Sequence, residues 1–231
     1  MEYKKQTQTQ LANQKIFQPQ IWEGLSCSAQ YKVPRIYASD AIPQAIIPFS
    51  MAMNPHCHDY HAFVCFYEDD YKFERFWKSP ERYLPRLRQF AGIIAPDFST
   101  YQGMPIPFQE FNILRNYALG AWLQQRQGFR VISNIRTGDP ETIPFALDGA
   151  PHHSVIAIGA HGNLKQKDNR DTFFTGLTYA IEQLEPIAIL IYGTDCYGVF
   201  SLLKASDIPL YFYPPRQRLK SSQGDLGGEI D

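Results

Sequence analysis

Short apolar runs spaced along the chain constrain its fold most. Eight runs of four to six residues are rich in aliphatic and aromatic side chains and are interpreted as strands: Ala45–Phe49, Ala62–Tyr67, Gly92–Ala95, Arg130–Ile135, Ile143–Leu147, Ser154–Gly159, Ala188–Gly193 and Leu210–Tyr213. Most of these runs are continuous rather than alternating with polar residues. That pattern is typical of strands buried on both faces of a parallel sheet.

Amphipathic segments between the runs predict helices at Tyr71–Gln89, Pro107–Gln127 and Asn169–Leu184, with a shorter one at Val199–Ala205. Pro80 and Pro85 must break or kink the first of them. Strands alternating with helices indicate an α/β protein with a (β/α) barrel-like fold from which some helices are missing. An open doubly wound parallel sheet is the alternative. The two differ mainly in whether Ile143–Leu147 and Leu210–Tyr213 join the sheet.

A chain of 231 residues is expected to form one main domain. Residues 1–20 are rich in Gln and Lys and are interpreted as a flexible polar leader. Residues 21–213 are expected to form a single α/β domain, and residues 214–231 a disordered tail.

The composition of the chain argues against several classes of protein. With 22 Lys and Arg against 23 Asp and Glu, the chain lacks the positive charge of a non-specific DNA-coating protein, so any nucleic-acid contact needs a local patch. Four scattered cysteines do not indicate a disulfide framework. No secretory signal and no apolar run of about 18 residues is present, so we expect no membrane contact and a cytoplasmic protein.

Polar residues follow several predicted strands, and the carboxyl ends of parallel strands meet on one face. Candidate catalytic residues there are Asp69, Asp97, Asp195 and His161. Asp69 and Asp97 are also candidate ligands for a divalent cation, the only cofactor that the sequence suggests. Alternatively, the carboxylates divide the roles of general acid and general base between them. Candidate binding residues at the same ends are Asp70, Asn134 and Arg136. Helix capping and turn formation are the structural alternatives for the acidic residues.

A cluster of histidines precedes the second predicted strand. His56, His58 and His61, with Cys57 among them, have side chains that could coordinate zinc. An ordinary polar loop is the favoured interpretation, because no second ligand pair follows at zinc-finger spacing.

The predicted helix from Tyr71 carries six Lys or Arg against two Glu, interleaved with aromatic residues. Arg75 and Trp77 are therefore candidates for pairing phosphates and stacking on unpaired bases. The favoured alternative is that the aromatic side chains pack on the sheet while the cations face water. Glycine-rich phosphate loops and the Gly-x-Ser-x-Gly elbow are absent from the sequence.

Several motifs together resemble the bacterial and phage family catalogued as domain of unknown function 4417. The segments that carry the resemblance are FYEDDYKFERFWKSPERYLPRLRQFAGIIAPDFSTYQGMP, NILRNYALGAWLQQRQGFRVISNI, FALDGAPHHSVIAIGAHG and GLTYAIEQLEPIAILIYG. Family-like positions fall on Asp69, Asp70, Phe73, Glu74, Pro96, Asp97, Phe98, Ser99, Asn112, Arg115, Ile191, Tyr192 and Gly193. The resemblance adds Arg115 to the binding candidates. It implies a setting among phages and mobile elements and supplies no reaction.

Two hypotheses follow. The first is an enzyme or ligand-binding domain with an acidic pocket, which as a metal-assisted hydrolase would act on a nucleotide, phosphodiester or glycosidic substrate. The second is a non-catalytic module of a mobile genetic element that binds nucleic acid or a partner protein.

Overall fold

The computed structural model describes Thr7, Thr9 and residues 15–160, 167–194, 200 and 207–215. Its seven strands are β1 (Ile46–Pro48), β2 (Phe63–Cys65), β3 (Gly92–Ile94), β4 (Val131–Asn134), β5 (Val155–Gly159), β6 (Ala188–Tyr192) and β7 (Leu210–Tyr213). All pair in parallel, and each pairs with the next along the chain. The sheet curls into a half-barrel, which confirms the predicted barrel-like α/β fold.

The helices are α1 (Pro19–Trp22), α2 (Phe49–Ala52), α3 (Asp70–Lys78), α4 (Leu84–Leu87), α5 (Ile106–Gln125), α6 (Ile143–Asp148) and α7 (Lys167–Leu184). Three short 3-10 helices lie at Lys15–Phe17, Pro80–Tyr83 and Pro140–Thr142. The long helix predicted from Tyr71 is divided into α3, a 3-10 turn and α4, because Pro80 and Pro85 interrupt it as expected.

One predicted strand is wrong. Residues Ile143–Leu147 belong to α6, which buries Ile143, Ala146 and Leu147 on one face at helical spacing. A five-residue apolar run fits a buried strand and a short buried helix equally well. The other uncertain run, Leu210–Tyr213, is confirmed as a strand and forms β7 at the edge of the sheet.

Alternate residues of the strands point to the concave side of the sheet and form one cluster. Its fully enclosed members on the strands are Ile46, Phe63, Cys65, Ile94, Ile132, Val155, Ala157, Ala188, Leu190 and Tyr192. The Tyr213 hydroxyl at the end of β7 donates a hydrogen bond of 2.7 Å to the carbonyl oxygen of Pro43, just before β1. Within the described ranges, no strand ladder joins β7 to β1, so the barrel stays open along this side.

The intervening strand residues point outward and pack under the helices. One cluster joins β1–β4 to α3 and α5, where Phe49 stacks on Phe66 at 5.2 Å and Phe66 on Phe76 at 5.5 Å. A second joins β5 and β6 to α7 through Leu177, Ala180 and Leu184. The helices thereby hold the strand ends in fixed positions.

Among the helices in the described part of the chain, none is both long and apolar enough to cross a membrane. Ile21 of α1 is fully buried against the main core. Residues 1–6, 8, 10–14 and 216–231, which make up most of the predicted leader and tail, lie outside the described residues. The domain boundaries stay a prediction, as does the short helix at Val199–Ala205.

Candidate functional site

A buried carboxylate lies at the carboxyl end of β3. Asp97 is only 7% exposed. The side-chain amide of Asn134, the last residue of β4, donates to Asp97 Oδ1 at 2.8 Å and to the Pro96 carbonyl oxygen at 3.0 Å. Two residues further on, Arg136 Nε lies 3.6 Å from the same Asp97 oxygen. The structure therefore brings together three of the residues that the sequence placed at strand ends.

Two tyrosines complete this cluster, and the sequence interpretation missed both as site residues. The Tyr67 hydroxyl, after β2, donates to Asn134 Oδ1 at 3.0 Å. Its ring stacks on that of Tyr192, at the end of β6, with 5.2 Å between centroids. Tyr67 continues the inward alternation of Phe63 and Cys65, and this signal could have identified it.

The surroundings of Asp97 shift the pKa of its carboxyl upward. Burial raises the pKa of the Asp97 carboxyl above its ordinary value. The positive charge of Arg136 and the hydrogen bond from Asn134 oppose this rise, while the negative charge of Asp70 adds to it. Burial and the charge of Asp97 also raise the pKa of the Tyr67 hydroxyl well above its usual value, so Tyr67 stays a hydrogen-bond donor.

Arg136 has unused hydrogen-bonding capacity. Its side chain is 16% exposed, and its buried Nε has no hydrogen-bond partner. The guanidinium pairs with Asp97 by charge, yet it donates no hydrogen bond to any described residue. Guanidinium groups carry five N–H donors, so this side chain is equipped to bind an anion.

A cavity of about 340 Å³ opens beside Arg136. It lies between the loops after β3 and β4, the end of β5 and helix α7. Its polar wall is formed by Ser99, Thr100, Gln102, Arg136, Thr137 and Thr172, and its apolar wall by Ile135, Ile158, Phe173 and Leu177. Asp97 lies behind Arg136 rather than in the wall. The size falls within the range of small-molecule sites.

The loop that carries Asp97 is held by hydrogen bonds from two helices. Asp70, the first residue of α3, accepts from Ser99 N at 3.2 Å and from Ser99 Oγ at 2.9 Å. From α5, Asn112 Nδ2 donates to the Ser99 carbonyl oxygen at 2.6 Å, and Asn116 Oδ1 accepts from Phe98 N at 2.7 Å. Asp70 is therefore a structural anchor of the site loop.

Arg115 locks α3, α5 and the same loop together. Its Nη1 pairs with Glu74 Oε2 at 2.9 Å, and its Nη2 donates to Asn112 Oδ1 at 2.8 Å. The guanidinium also lies 3.6 Å from the centroid of the Phe98 ring, which in turn packs 4.7 Å from that of Phe73. These contacts make Arg115 a positioning residue for the Asp97 loop: both of its Nη atoms are bonded to protein groups, and only its buried Nε has no hydrogen-bond partner among the described residues.

The structure places other predicted site residues away from this cluster. Asp69 is 64% exposed and pairs with Lys72 at 2.9 Å on the helix surface. Trp77 is buried, and the exposed Arg75 lies over the rings of Phe49 and Tyr83. His161 and Asp195 lie outside the described residues, so their catalytic roles stay predictions.

The histidine loop contains no visible ligand set. His58 Nδ1 lies 2.9 Å from the Tyr60 hydroxyl, and His56 and His61 are exposed. Within the part of the chain that the structure describes, no three His, Cys, Asp or Glu side chains are grouped to hold a metal ion.

Comparison with known proteins identifies the family. The family model described as "Domain of unknown function (DUF4417)" matches residues 25–204, which include the Asp97 loop, Asn134 and Arg136. This chain belongs to the DUF4417 family. The resemblance predicted from the motifs is thereby confirmed. The matched region contains strands β1 to β6 and ends before β7.

Two phage proteins resemble this DUF4417 chain over most of their length. The Gene 1 protein of Mycobacterium phage L5 is 34% identical over 170 residues, which cover 72% of each chain. The Gene 1 protein of Mycobacterium phage D29 is 29% identical over 200 residues, or 84% of this chain and 73% of the relative. The search of solved structures produced no match.

Proposed function

We propose that this DUF4417 protein hydrolyses a small phosphate ester of nucleotide type, with Arg136 as the phosphate ligand and Asp97 as the general acid and base. The observation that carries the proposal is the guanidinium of Arg136, which lines a cavity and has no hydrogen-bond acceptor among the described residues.

The charge and geometry of Arg136 favour a phosphate group. Its planar N–H fork matches two phosphate oxygens at once, and such charge-assisted bonds are stronger than neutral ones. Thr137 also lines the cavity, and Phe173 and Leu177 give it apolar surface. This combination suits a substrate with an anionic end and an apolar or aromatic end, such as a nucleotide.

Burial raises the pKa of the Asp97 carboxyl above its ordinary value, which is the direction in which a carboxyl becomes better able to hold and transfer a proton. Asn134 holds Oδ1, whereas Oδ2 accepts no hydrogen bond from the described residues. In the proposed step, water forms a new bond to phosphorus and the ester P–O bond breaks. Asp97 does not line the cavity, so one bridging water carries its proton to the leaving oxygen and returns a proton from the attacking water to the carboxyl.

Arg136, which lines the cavity, supplies the positive charge at the substrate phosphate. A glycosidic substrate has less support. Glycosidases use a pair of carboxyl groups, and Asp70, the carboxylate whose charge reaches Asp97, is already held by Ser99.

Calorimetric titration with a nucleoside monophosphate and with the matching nucleoside tests the binding role. Arg136→Gln should weaken nucleotide binding by about tenfold or more, since it removes a charged hydrogen-bond donor. Binding of the nucleoside should change little. Arg130→Gln is the matched control, because Arg130 is an exposed arginine at the opposite end of β4. Equal nucleotide affinity in the two variants would contradict the assignment of Arg136.

Release of inorganic phosphate from the same nucleotide tests the reaction. The unmodified chain should release phosphate, and Asp97→Asn should abolish the release while it keeps nucleotide binding. If the chain binds the nucleotide through Arg136 but releases no phosphate, the binding site is supported and the hydrolase function is contradicted.

The second function that the sequence suggests is a module that binds nucleic acid or a partner protein. The aromatic side chains of α3 do not support base stacking by such a module. Phe73, Phe76 and Trp77 are buried in the core, so they are not available to stack on bases.

A further inference from the structure

A second concave surface, the arginine pocket, lies on the flank of the sheet beside β1. It is lined by Arg75, Arg82 and Arg86 together with Ser50, Asn54 and Tyr83. We infer that the arginine pocket is a phosphate-binding site. It shares no lining residue with the cavity beside Arg136, so this inference is independent of the proposed hydrolase function.

Arg86 forms the fixed wall of the arginine pocket. Its Nε donates to the Ala52 carbonyl oxygen at 2.8 Å, and its Nη2 donates to the Asn54 carbonyl oxygen at 2.9 Å. Its Nη1 donates to Gln89 Oε1 at 2.7 Å. These bonds use the donors of Arg86 but cancel none of its charge, because every acceptor is neutral.

Aromatic rings hold the Arg75 side chain in place, and its N–H groups are not used for this. The guanidinium carbon lies 5.6 Å from the centroid of the Phe49 ring and 5.7 Å from that of Tyr83. Such cation–π contacts hold the face of the guanidinium and leave its N–H edge free. No described residue forms a side-chain hydrogen bond or ion pair with Arg75. Its orientation is therefore set before a ligand binds, which lowers the entropy lost on binding.

Arg82 provides the second available guanidinium. It is exposed on the 3-10 turn Pro80–Tyr83, and within the described ranges its side chain makes no hydrogen bond or ion pair. Two planar donor groups with free N–H edges, beside the fixed charge of Arg86, are suited to the oxygens of a phosphate group.

Acidic residues near the arginine pocket do not neutralise it. The carboxylate of Glu68 accepts hydrogen bonds from the backbone N–H and hydroxyl of Ser50, at the edge of the pocket. Glu74 pairs with Arg115 on the other side of α3. Three arginines therefore line the arginine pocket, and within the described part of the chain only Ser50 among the lining residues contacts a carboxylate, that of Glu68. The net charge of the pocket stays positive.

A phosphate group can come from a free phosphate compound or from a nucleic-acid backbone. Titration with inorganic pyrophosphate and fluorescence anisotropy with a labelled single-stranded oligonucleotide distinguish these two sources. Both are performed on the chain carrying Arg136→Gln, so that an anion held by the other cavity does not contribute. Thermal melting of each variant confirms that it is folded.

In that background, Arg82→Gln should weaken binding of the effective probe by about tenfold. Arg75→Gln should weaken it similarly. For the oligonucleotide, each substitution should also lower the slope of log affinity against log salt concentration by about one. Lys78→Gln is the matched control, because Lys78 is an exposed cation of α3 outside the arginine pocket.

Binding of pyrophosphate alone would identify a small phosphate compound as the ligand, and oligonucleotide binding with the predicted salt slope would identify a nucleic-acid backbone. Failure of both probes to bind would overturn the inference. So would variants at Arg75 and Arg82 that bind as well as the Lys78 control.

Discussion

Asn134 donates its side-chain amide to Asp97 Oδ1 over 2.8 Å, across the carboxyl ends of two adjacent strands. Its own Oδ1 accepts from the Tyr67 hydroxyl, so the amide N–H must point toward the carboxyl. Asp97 is nevertheless buried strongly enough that its pKa is raised. The ionised form of Asp97 therefore lowers the stability of the fold.

Asp97→Asn should raise the melting temperature at neutral pH. A carboxyl whose pKa is raised on folding lowers stability as pH increases from its ordinary value of 3.8 toward the higher folded-state value. Asparagine stays neutral and avoids that loss. Melting curves across pH should show the variant above the unmodified protein at neutral pH, with the gap closing in acid.

The control for this comparison is Asp69→Asn, the same change at an exposed residue paired with Lys72. It should not raise the melting temperature. A destabilised Asp97→Asn variant at neutral pH would show that Asp97 contributes mainly as a structural ion-pair partner of Arg136.

Arg115→Lys should destabilise the fold by about 2 kcal/mol, the scale of a lost hydrogen bond that involves a charged group. Lysine lacks the planar fork that reaches Glu74 and Asn112 together, and it loses the close contact with Phe98. Urea denaturation measures the change. Lys72→Gln removes a surface pair of α3 and should cost no more than about 1 kcal/mol. Similar losses in both variants would argue against the locking role of Arg115.

Gly176→Ala should destabilise the packing of α7 against the cavity. Alanine favours a helix interior by about 1 kcal/mol over glycine. Here, however, the added methyl group would overlap Thr137 Oγ1 and lie 3.0 Å from Thr137 Cβ. The double variant Gly176→Ala, Thr137→Ala removes the overlap and should regain stability relative to the single change. Additive effects in thermal melts would contradict the close approach of α7 to Thr137.

Tyr213→Phe tests the open side of the half-barrel. The substitution removes the hydroxyl that donates to Pro43 and should cost about 1 kcal/mol. Amide hydrogen exchange should accelerate in β7 and near the start of β1 while β3 and β4 keep their protection. Exchange that is unchanged at both edges would show that this bond does not tether them.

The sequence predicted the parallel sheet because its buried strands are continuous apolar runs, and it predicted the approach of Asp97, Asn134 and Arg136 because adjacent strand ends must meet. It did not distinguish Asp69 from Asp70. The beginning of α3 decides which of them faces Ser99, since one helical residue turns the side chain by about 100°. Ile143–Leu147 was misassigned because a run this short has no diagnostic period.

The strict β1-to-β7 order also has a consequence for how the protein is made. Each strand finds its partner in the unit synthesised immediately before it, so contacts between strands never wait for a distant part of the nascent chain. The amino-terminal units can therefore dock one after another as the chain leaves the ribosome. The bond from Tyr213 to Pro43 joins residues 170 positions apart and cannot form until Tyr213 has been synthesised.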